Sequence, residues 1–345
     1  MKAMRFHGPG DLRMEEVERP QIGAGEILVK PEVTLTCGTD VKMFMRGHRL
    51  VTKPVIIGHE FVGTVAEVGS QVENVQEGMR VVAANSAPCD TCFFCMRGQP
   101  NLCEHLMESL IGFSCPGAYA EYVKVPERIV QHNLFQLPDH VPSTNAALLE
   151  PLSCVVHGIE IAGISPGDNV ALLGVGPIGL LHLQLARLRG AASVAVSDLN
   201  PKRLRTAQKL GADETIDPSE EDPVQRVKEL FDGRGADVAI EAVGRPETWQ
   251  QAVKMTRKGG RTLLFGGCPS GTQVTFDAGH IHYGELTLKG SFHHTPSSVK
   301  TAFGLIEGKQ LNLEPLITGS ARLGELQQAL EAMARGDALK IAVYP

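Results

Sequence analysis

The chain has 345 residues, a length that favours two domains, each large enough to bury a core of its own. Hydrophobic residues at 43% and charged residues at 21% exclude a disordered or collagen-like chain. With 33 Lys and Arg against 39 Asp and Glu the formal charge is −6, and no basic run offers a surface for nucleic acid or an anionic membrane.

Residues 1–10 carry Arg5, His7 and two glycines where a secretory signal would need an apolar run, so a cytoplasmic location is expected. Through the first 125 residues Val, Ile and Thr alternate with polar residues between glycines. This predicts short strands at 27–36, 63–68, 79–84 and 119–125, and hence a β-rich domain. From Pro166 the rhythm changes. Compact apolar strands are predicted at 169–173, 193–197, 238–241 and 261–265, with helices between them at 178–188, 201–210, 222–230 and 246–255. Strands that alternate with helices predict right-handed βαβ units and a doubly wound parallel sheet, which a strand at 286–288 would complete. The remaining tail, with helices at 297–306 and 323–335 and a strand at 338–343, has no place in that sheet. It is expected to return to the first domain, giving boundaries at 1–151 plus 291–345 and an inserted 152–290. The apolar stretch 170–188 is interrupted by three glycines, Pro177, His182 and Arg187, so it does not read as a membrane span.

Three groups of residues carry chemistry. In the first, Gly174, Gly176, Pro177, Ile178 and Gly179 follow a predicted strand and open a predicted helix, and Asp198 ends the next strand. This is the dinucleotide fingerprint in the context it requires: the glycines let the backbone approach a pyrophosphate at a helix N-terminus. Asp198 would accept hydrogen bonds from the adenosine ribose and repel a 2′-phosphate, which favours NAD over NADP. Arg203, one turn into the next helix, could stack on the adenine or bind a phosphate. In the second group, Cys89, Cys92, Cys95 and Cys103 crowd four thiols into a polar loop. Four thiolates close a tetrahedral shell around Zn2+ and leave no open position, so that metal would be structural; an iron–sulfur site or plain buried thiols are the competing readings. The third group is Cys37-Gly38-Thr39-Asp40, Gly58-His59-Glu60 and Glu150-Pro151. Cys, His and carboxylate are all zinc ligands, but taken alone, residues so far apart in the chain fit a core Cys and a satisfied His better than a metal site.

Taken together, the CGTD and GHE motifs, the glycine-punctuated run 63–72, the Cys quartet, Glu150-Pro151-Leu152, the GVGPIG turn and Asp198 resemble the zinc-dependent medium-chain dehydrogenases. The resemblance is strongest to the sorbitol and threonine dehydrogenase branch and covers essentially the whole chain. It implies a GroES-like catalytic domain, a Rossmann domain and an active site in the cleft between them. It also implies that Cys37, His59 and Glu60 bind a catalytic zinc, with Glu150 as a direct or water-mediated fourth, giving two Zn2+ per chain. Thr39 would hydrogen-bond the substrate oxygen, and Val243, Gly266, Gly267 and Phe292 join the expected cofactor contacts. An assembly of two or four identical chains is expected.

The chain departs from that pattern in two places. Lys42 stands where these enzymes commonly carry a His, followed by Met43 in place of a Tyr, so the usual proton exit is in doubt, and His48 or Lys42 is left as its replacement. The second departure is Phe292-His293-His294-Thr295, where an Arg-Tyr pair would face the substrate; His293 and His294 are candidate contacts to hydroxyls. The expected function is NAD-dependent oxidation of a secondary alcohol, a polyol, sugar or cyclitol, to its ketone. An amino alcohol such as L-threonine is the alternative substrate, and a catalytically inactive NAD- and zinc-binding protein is the alternative of another class.

Overall fold

The computed structural model describes residues 1–51 and 53–345. Two compact units divide the chain, one formed by Met1–Cys154 with His294–Pro345 and the other by Val155–His293. Both divisions lie three residues beyond the expected 151/152 and 290/291.

The inserted unit is built on a six-stranded parallel sheet in the order Glu214–Ile216, Ser193–Ser197, Asn169–Leu173, Ala236–Glu241, Thr256–Leu264 and Thr287–Gly290. Val170 to Leu173 and Val238 to Ile240 are buried on both faces, as strands covered by helices on each side must be. The helices Pro177–Leu188, Pro201–Lys209, Pro223–Leu230 and Pro246–Met255 all begin on a proline, whose fixed φ and missing N–H suit a first turn. Asn200 and Asp222 cap two of them by accepting from backbone N–H groups. The chain winds outward one way from Asn169–Leu173 and the other way from Ala236–Glu241. The crevice for a ligand therefore opens where these two strands end, at Gly174 and at Val243.

The other unit carries a seven-stranded sheet in the order Ile317–Arg322, Lys340–Tyr344, Ile27–Leu35, Glu60–Val68, Arg80–Ala83 and Leu134–Gln136, with Val123–Val125 also pairing to Ile27–Leu35. Ile27, Val29, Phe61, Val65, Val81 and Val123 form its main core. A second core gathers Met4, Phe6, Met43, Phe44, Ile57, Tyr119 and Leu326, beside a small sheet of Lys2–Gly8, Asp11–Glu16 and Val55–Ile56. The tail does return here, as expected: its last strand pairs antiparallel with Ile27–Leu35.

Several elements differ from the sequence expectation, among them the helix Gly38–Arg46 and the strands Lys2–Gly8 and Ile317–Arg322, which it did not include. Of the strand predicted at 119–125 only Val123–Val125 forms, because Tyr119 spends its backbone groups on the carbonyl of Ile57 and the N–H of Met4. The helix predicted at 323–335 begins as a 3-10 turn, Leu323–Glu325, before the α-helix Leu326–Ala334. The helix Leu149–Ala162 is unforeseen; Pro151 masks it in sequence, yet a proline is tolerated in a first turn. No helix of the described residues is long and apolar enough to cross a membrane.

Candidate active site and cofactor turn

Cys37 caps the helix Gly38–Arg46 with its side chain, the Thr39 N–H donating to Sγ at 3.4 Å, and the Cys37 N–H donates to Asp40 Oδ2 at 3.0 Å. This reciprocal cap fixes the thiol and Asp40 together. His59 and Glu60 enter from the start of the strand Glu60–Val68, behind Gly58, whose φ of +97° favours glycine. Cys37 Sγ, a ring nitrogen of His59 and a carboxylate oxygen of Glu60 all lie within 4.8 Å of one another. Asp40 Oδ1 is 3.3 Å from His59 Nδ1, which leaves Nε2 for a metal.

Burial opposes charge on His59, but Asp40 and Cys37 outweigh it and hold its pKa well above the ordinary value, so a metal must displace a proton there. Glu60 is pushed up to about 7 by burial, against the pull of Lys340. Lys340 is itself buried and donates to both Glu60 oxygens, at 2.7 and 2.5 Å, and to the Thr36 carbonyl at 3.0 Å. Its pKa is raised, because Glu60 and its neighbours more than offset desolvation. Glu150, on the helix Leu149–Ala162, lies outside the close trio; burial raises its pKa, and Cys154 Sγ–H donates to it at 3.7 Å one turn on. Thiolate, imidazole and carboxylate in one buried place fit a zinc with room for an exchangeable ligand.

In the same unit the Cys quartet brings its four sulfurs within 4.8 Å of one another. Cys92 Sγ is 3.5 Å from Cys95 Sγ and 3.9 Å from Cys103 Sγ. Zinc–sulfur bonds of about 2.3 Å require tetrahedral edges of about 3.8 Å, so these four fit that ion. The N–H groups of Cys89 and His105 both donate to Cys103 Sγ at 3.3 Å, the kind of outer support that thiolate ligands use.

In the inserted unit Gly174 turns with φ +88°, and its N–H donates to the Ser197 carbonyl. A Cβ on Gly179 would stand 1.9 Å from the Gly174 carbonyl oxygen, so only glycine lets the helix start this close to the turn. Asp198 accepts from the Val175 N–H at 2.9 Å and the Asn200 N–H at 2.8 Å, which fixes its charge beside the glycine turn. Arg203 Nη1 lies 3.9 Å from Asp198 Oδ2. Val243 packs on the other side of the turn, 2.6 Å from where a Gly174 Cβ would be; a Cβ on Gly244 would fall 2.6 Å from the Gly267 carbonyl oxygen, and one on Gly266 2.4 Å from the Gly244 nitrogen. Glu241, which sequence reasoning missed, holds this second loop by accepting from Val243 N–H, Gly244 N–H and Thr248 Oγ1 at 2.7 to 2.9 Å.

The description "Alcohol dehydrogenase GroES-like domain" matches residues 23–139, and "Zinc-binding dehydrogenase" matches residues 177–308. Sorbitol dehydrogenase of Bacillus subtilis (strain 168) is 32% identical, over 100% of this chain and 97% of its own. Erythritol/L-threitol dehydrogenase of Mycolicibacterium smegmatis is 36% identical, over 100% and 98%. The chain belongs to the zinc-dependent medium-chain dehydrogenase family. The structure of a protein described as a zinc-binding dehydrogenase from Sinorhizobium meliloti 1021, bound to NADP, agrees with a TM-score of 0.93 and 34% identity over 100% of this chain and 99% of that one. As a member of this family the protein is a zinc-dependent oxidoreductase that uses a nicotinamide cofactor on a small-molecule alcohol.

Against that family the remaining candidates sort by exposure. Thr39 is half-buried in the first helical turn beside Cys37. Lys42 is exposed, whereas Met43 is fully buried in the second core. His48 is half-buried, its ring 5.2 Å from that of Phe113, which in turn lies 5.5 Å from the His59 ring. His294 is buried with Nε2 3.2 Å from Asn85 Oδ1, while His293 holds a left-handed φ of +61° at partial exposure. Phe292 is exposed. Sequence reading overlooked Lys340 and Cys154. The signal for the first is a single charge opening an otherwise apolar strand, Lys340–Tyr344; nothing comparable marks the second.

Proposed function

We propose that this dehydrogenase oxidises a neutral polyol or cyclitol at a secondary hydroxyl, with NAD as the hydride acceptor. The observation that carries the reading is the closeness of Cys37, His59 and Glu60, whose ligand atoms lie within 4.8 Å of one another; Glu150 is assigned as a further ligand, direct or through water. The kinship to sorbitol and erythritol/L-threitol dehydrogenases supports the substrate class.

A bound zinc would supply Lewis acidity toward the substrate hydroxyl, and a bound nicotinamide would supply the hydride acceptor. Cys37, His59 and Glu60 would hold the metal, and Asp40 would fix the His59 tautomer. The Thr39 hydroxyl accepts the substrate proton and passes it toward solvent. Neighbouring hydroxyls of a polyol need partners too, since each one buried unpaired costs about 1–3 kcal/mol; Glu150, His293 and His294 are assigned to them. In the inserted unit Gly174, Gly176, Pro177, Ile178 and Gly179 receive the pyrophosphate. Asp198 takes the ribose, Arg203 lies alongside it, and Val243, Gly266, Gly267 and Phe292 line the remaining cofactor path.

Preference for NAD rests on Asp198, whose carboxylate is anchored by two N–H groups at the strand end, where the ribose passes, while Arg203 stands on the following helix. Asp198→Ala should narrow the preference, and equal specificity constants for NAD and NADP in the parent enzyme would refute it. The reading includes a second, structural zinc on Cys89, Cys92, Cys95 and Cys103. It also includes a homo-oligomer, supported by the edge strand Thr287–Gly290, which among the described residues pairs on one side only, next to the exposed Tyr283.

The test is NADH formation from a panel of polyols, cyclitols and L-threonine. Turnover of at least one polyol or cyclitol is expected, and His293→Ala should lower its kcat/KM roughly 10-fold without weakening NAD binding. Efficient oxidation of L-threonine alone would overturn the substrate class.

A further inference from the structure

Tyr119 is fully buried, and its hydroxyl donates to Asp40 Oδ2 at 2.8 Å, with the Leu35 carbonyl as a second acceptor at 3.1 Å. The same Asp40 oxygen takes the N–H of Cys37, while Asp40 Oδ1 faces His59 Nδ1 across 3.3 Å. Among the described residues neither of these last two atoms has any other hydrogen-bond partner, so their meeting depends on how the carboxylate plane is held. Two donors hold it, and one of them is Tyr119. The ring has a second task. A Cβ on Gly58 would fall 2.7 Å from the Tyr119 ring, so the ring fills the space under the turn that presents His59. The backbone of the same segment brackets that turn: Gly117, Ala118 and Tyr119 N–H donate to the carbonyls of Ile56, Gly58 and Ile57.

We infer that Tyr119 is a positioning residue of the metal centre, acting through Asp40 on His59, and through its ring on the Gly58–His59 turn. The inference rests on the reading of Cys37 and His59 as metal ligands. Asp40 next to a ligand histidine explains an oriented imidazole; it does not explain why a buried phenol hydroxyl is spent on the far oxygen of that carboxylate. The hydroxyl does so because a single donor at Oδ2 leaves the carboxylate free to turn about that contact, whereas two donors from different directions fix its plane, and turning would carry Oδ1 away from Nδ1. Outer-shell partners of this kind typically change metal affinity by 10- to 100-fold when removed.

The test is release of the more labile zinc to a chelating dye, with no alcohol present, so the result stands whatever the substrate proves to be. Tyr119→Phe keeps the ring and removes the hydroxyl. It should release that zinc roughly 10-fold faster than the parent, leave the slow zinc of the Cys quartet unchanged, and shift the visible band of the cobalt-loaded protein. In an Asp40→Asn background the same substitution should add no more than twofold, because the hydroxyl acts through that carboxylate. Should Tyr119→Phe fail to fold, 3-fluorotyrosine in place of the four tyrosines makes a stronger donor and should slow release at least twofold. Unchanged release and an unchanged cobalt band, or effects of Tyr119→Phe and Asp40→Asn that multiply independently, would overturn the inference.

Discussion

His182 is fully buried in the helix Pro177–Leu188, edge-on to Phe265, and neither ring nitrogen has a hydrogen-bond partner among the described residues. Burial lowers its pKa from 6.5 to about 3, so the folded protein holds it neutral where the unfolded chain would protonate it. The folded state therefore binds fewer protons. The full stability is present above pH 6.5 and is lost as pH falls toward 3, by about 1.4 kcal/mol per unit. His182→Leu should raise Tm at neutral pH and flatten the acid side of a Tm–pH curve between pH 6.5 and 4; parallel curves would contradict this. Lys340 is the opposite case, a buried cation that is fully used. Removing one partner of such a pair costs about 3–5 kcal/mol, so Lys340→Met should lower Tm sharply, and adding Glu60→Leu should recover part of the loss. Sequence reading singles out Cys37, His59, Glu60 and Asp198 as candidates because their motifs are local. Lys340 and Tyr119 escaped it because their partners, Glu60 and Asp40, stand 280 and 79 residues away in the chain.

At the scale of elements, the inserted unit was legible and the other one only in part. Parallel strands buried on both faces read as unbroken apolar runs, and the prolines at the helix starts mark the boundaries between them. In the β-rich unit pairing is long-range, as where Tyr119 bonds to residues 57 and 4 in place of a regular ladder, and no local pattern encodes that. The helix Leu149–Ala162 was hidden by its proline, and with it went the placement of Glu150 and Cys154 one turn apart. The turn at Gly174 gives an element-level test. Gly179→Ala puts a methyl against the Gly174 carbonyl and must push the helix Pro177–Leu188 outward. NADH binding, followed by fluorescence, should weaken roughly 10-fold or more while both zinc ions are retained, because a pyrophosphate needs the close approach that glycine permits. Undiminished NADH affinity would show that the turn tolerates the methyl.

For the whole molecule the central claim is a division of labour between two metals: a structural zinc closed in by four thiolates, and a catalytic one held by mixed ligands with an exchangeable position. Cys95→Ser should mainly reduce folded yield, whereas His59→Ala should abolish turnover with the fold retained. If both variants simply unfold, the separation of roles is wrong. The most direct measurement is stepwise chelation of the active enzyme, recording zinc per chain, NADH formation from the preferred polyol and far-ultraviolet circular dichroism on the same samples. The account predicts two zinc ions per chain at the start and loss of activity in proportion to the first one removed, with the circular dichroism unchanged until the second leaves. Full activity with one zinc per chain, or activity and fold lost together with the first equivalent, would contradict it.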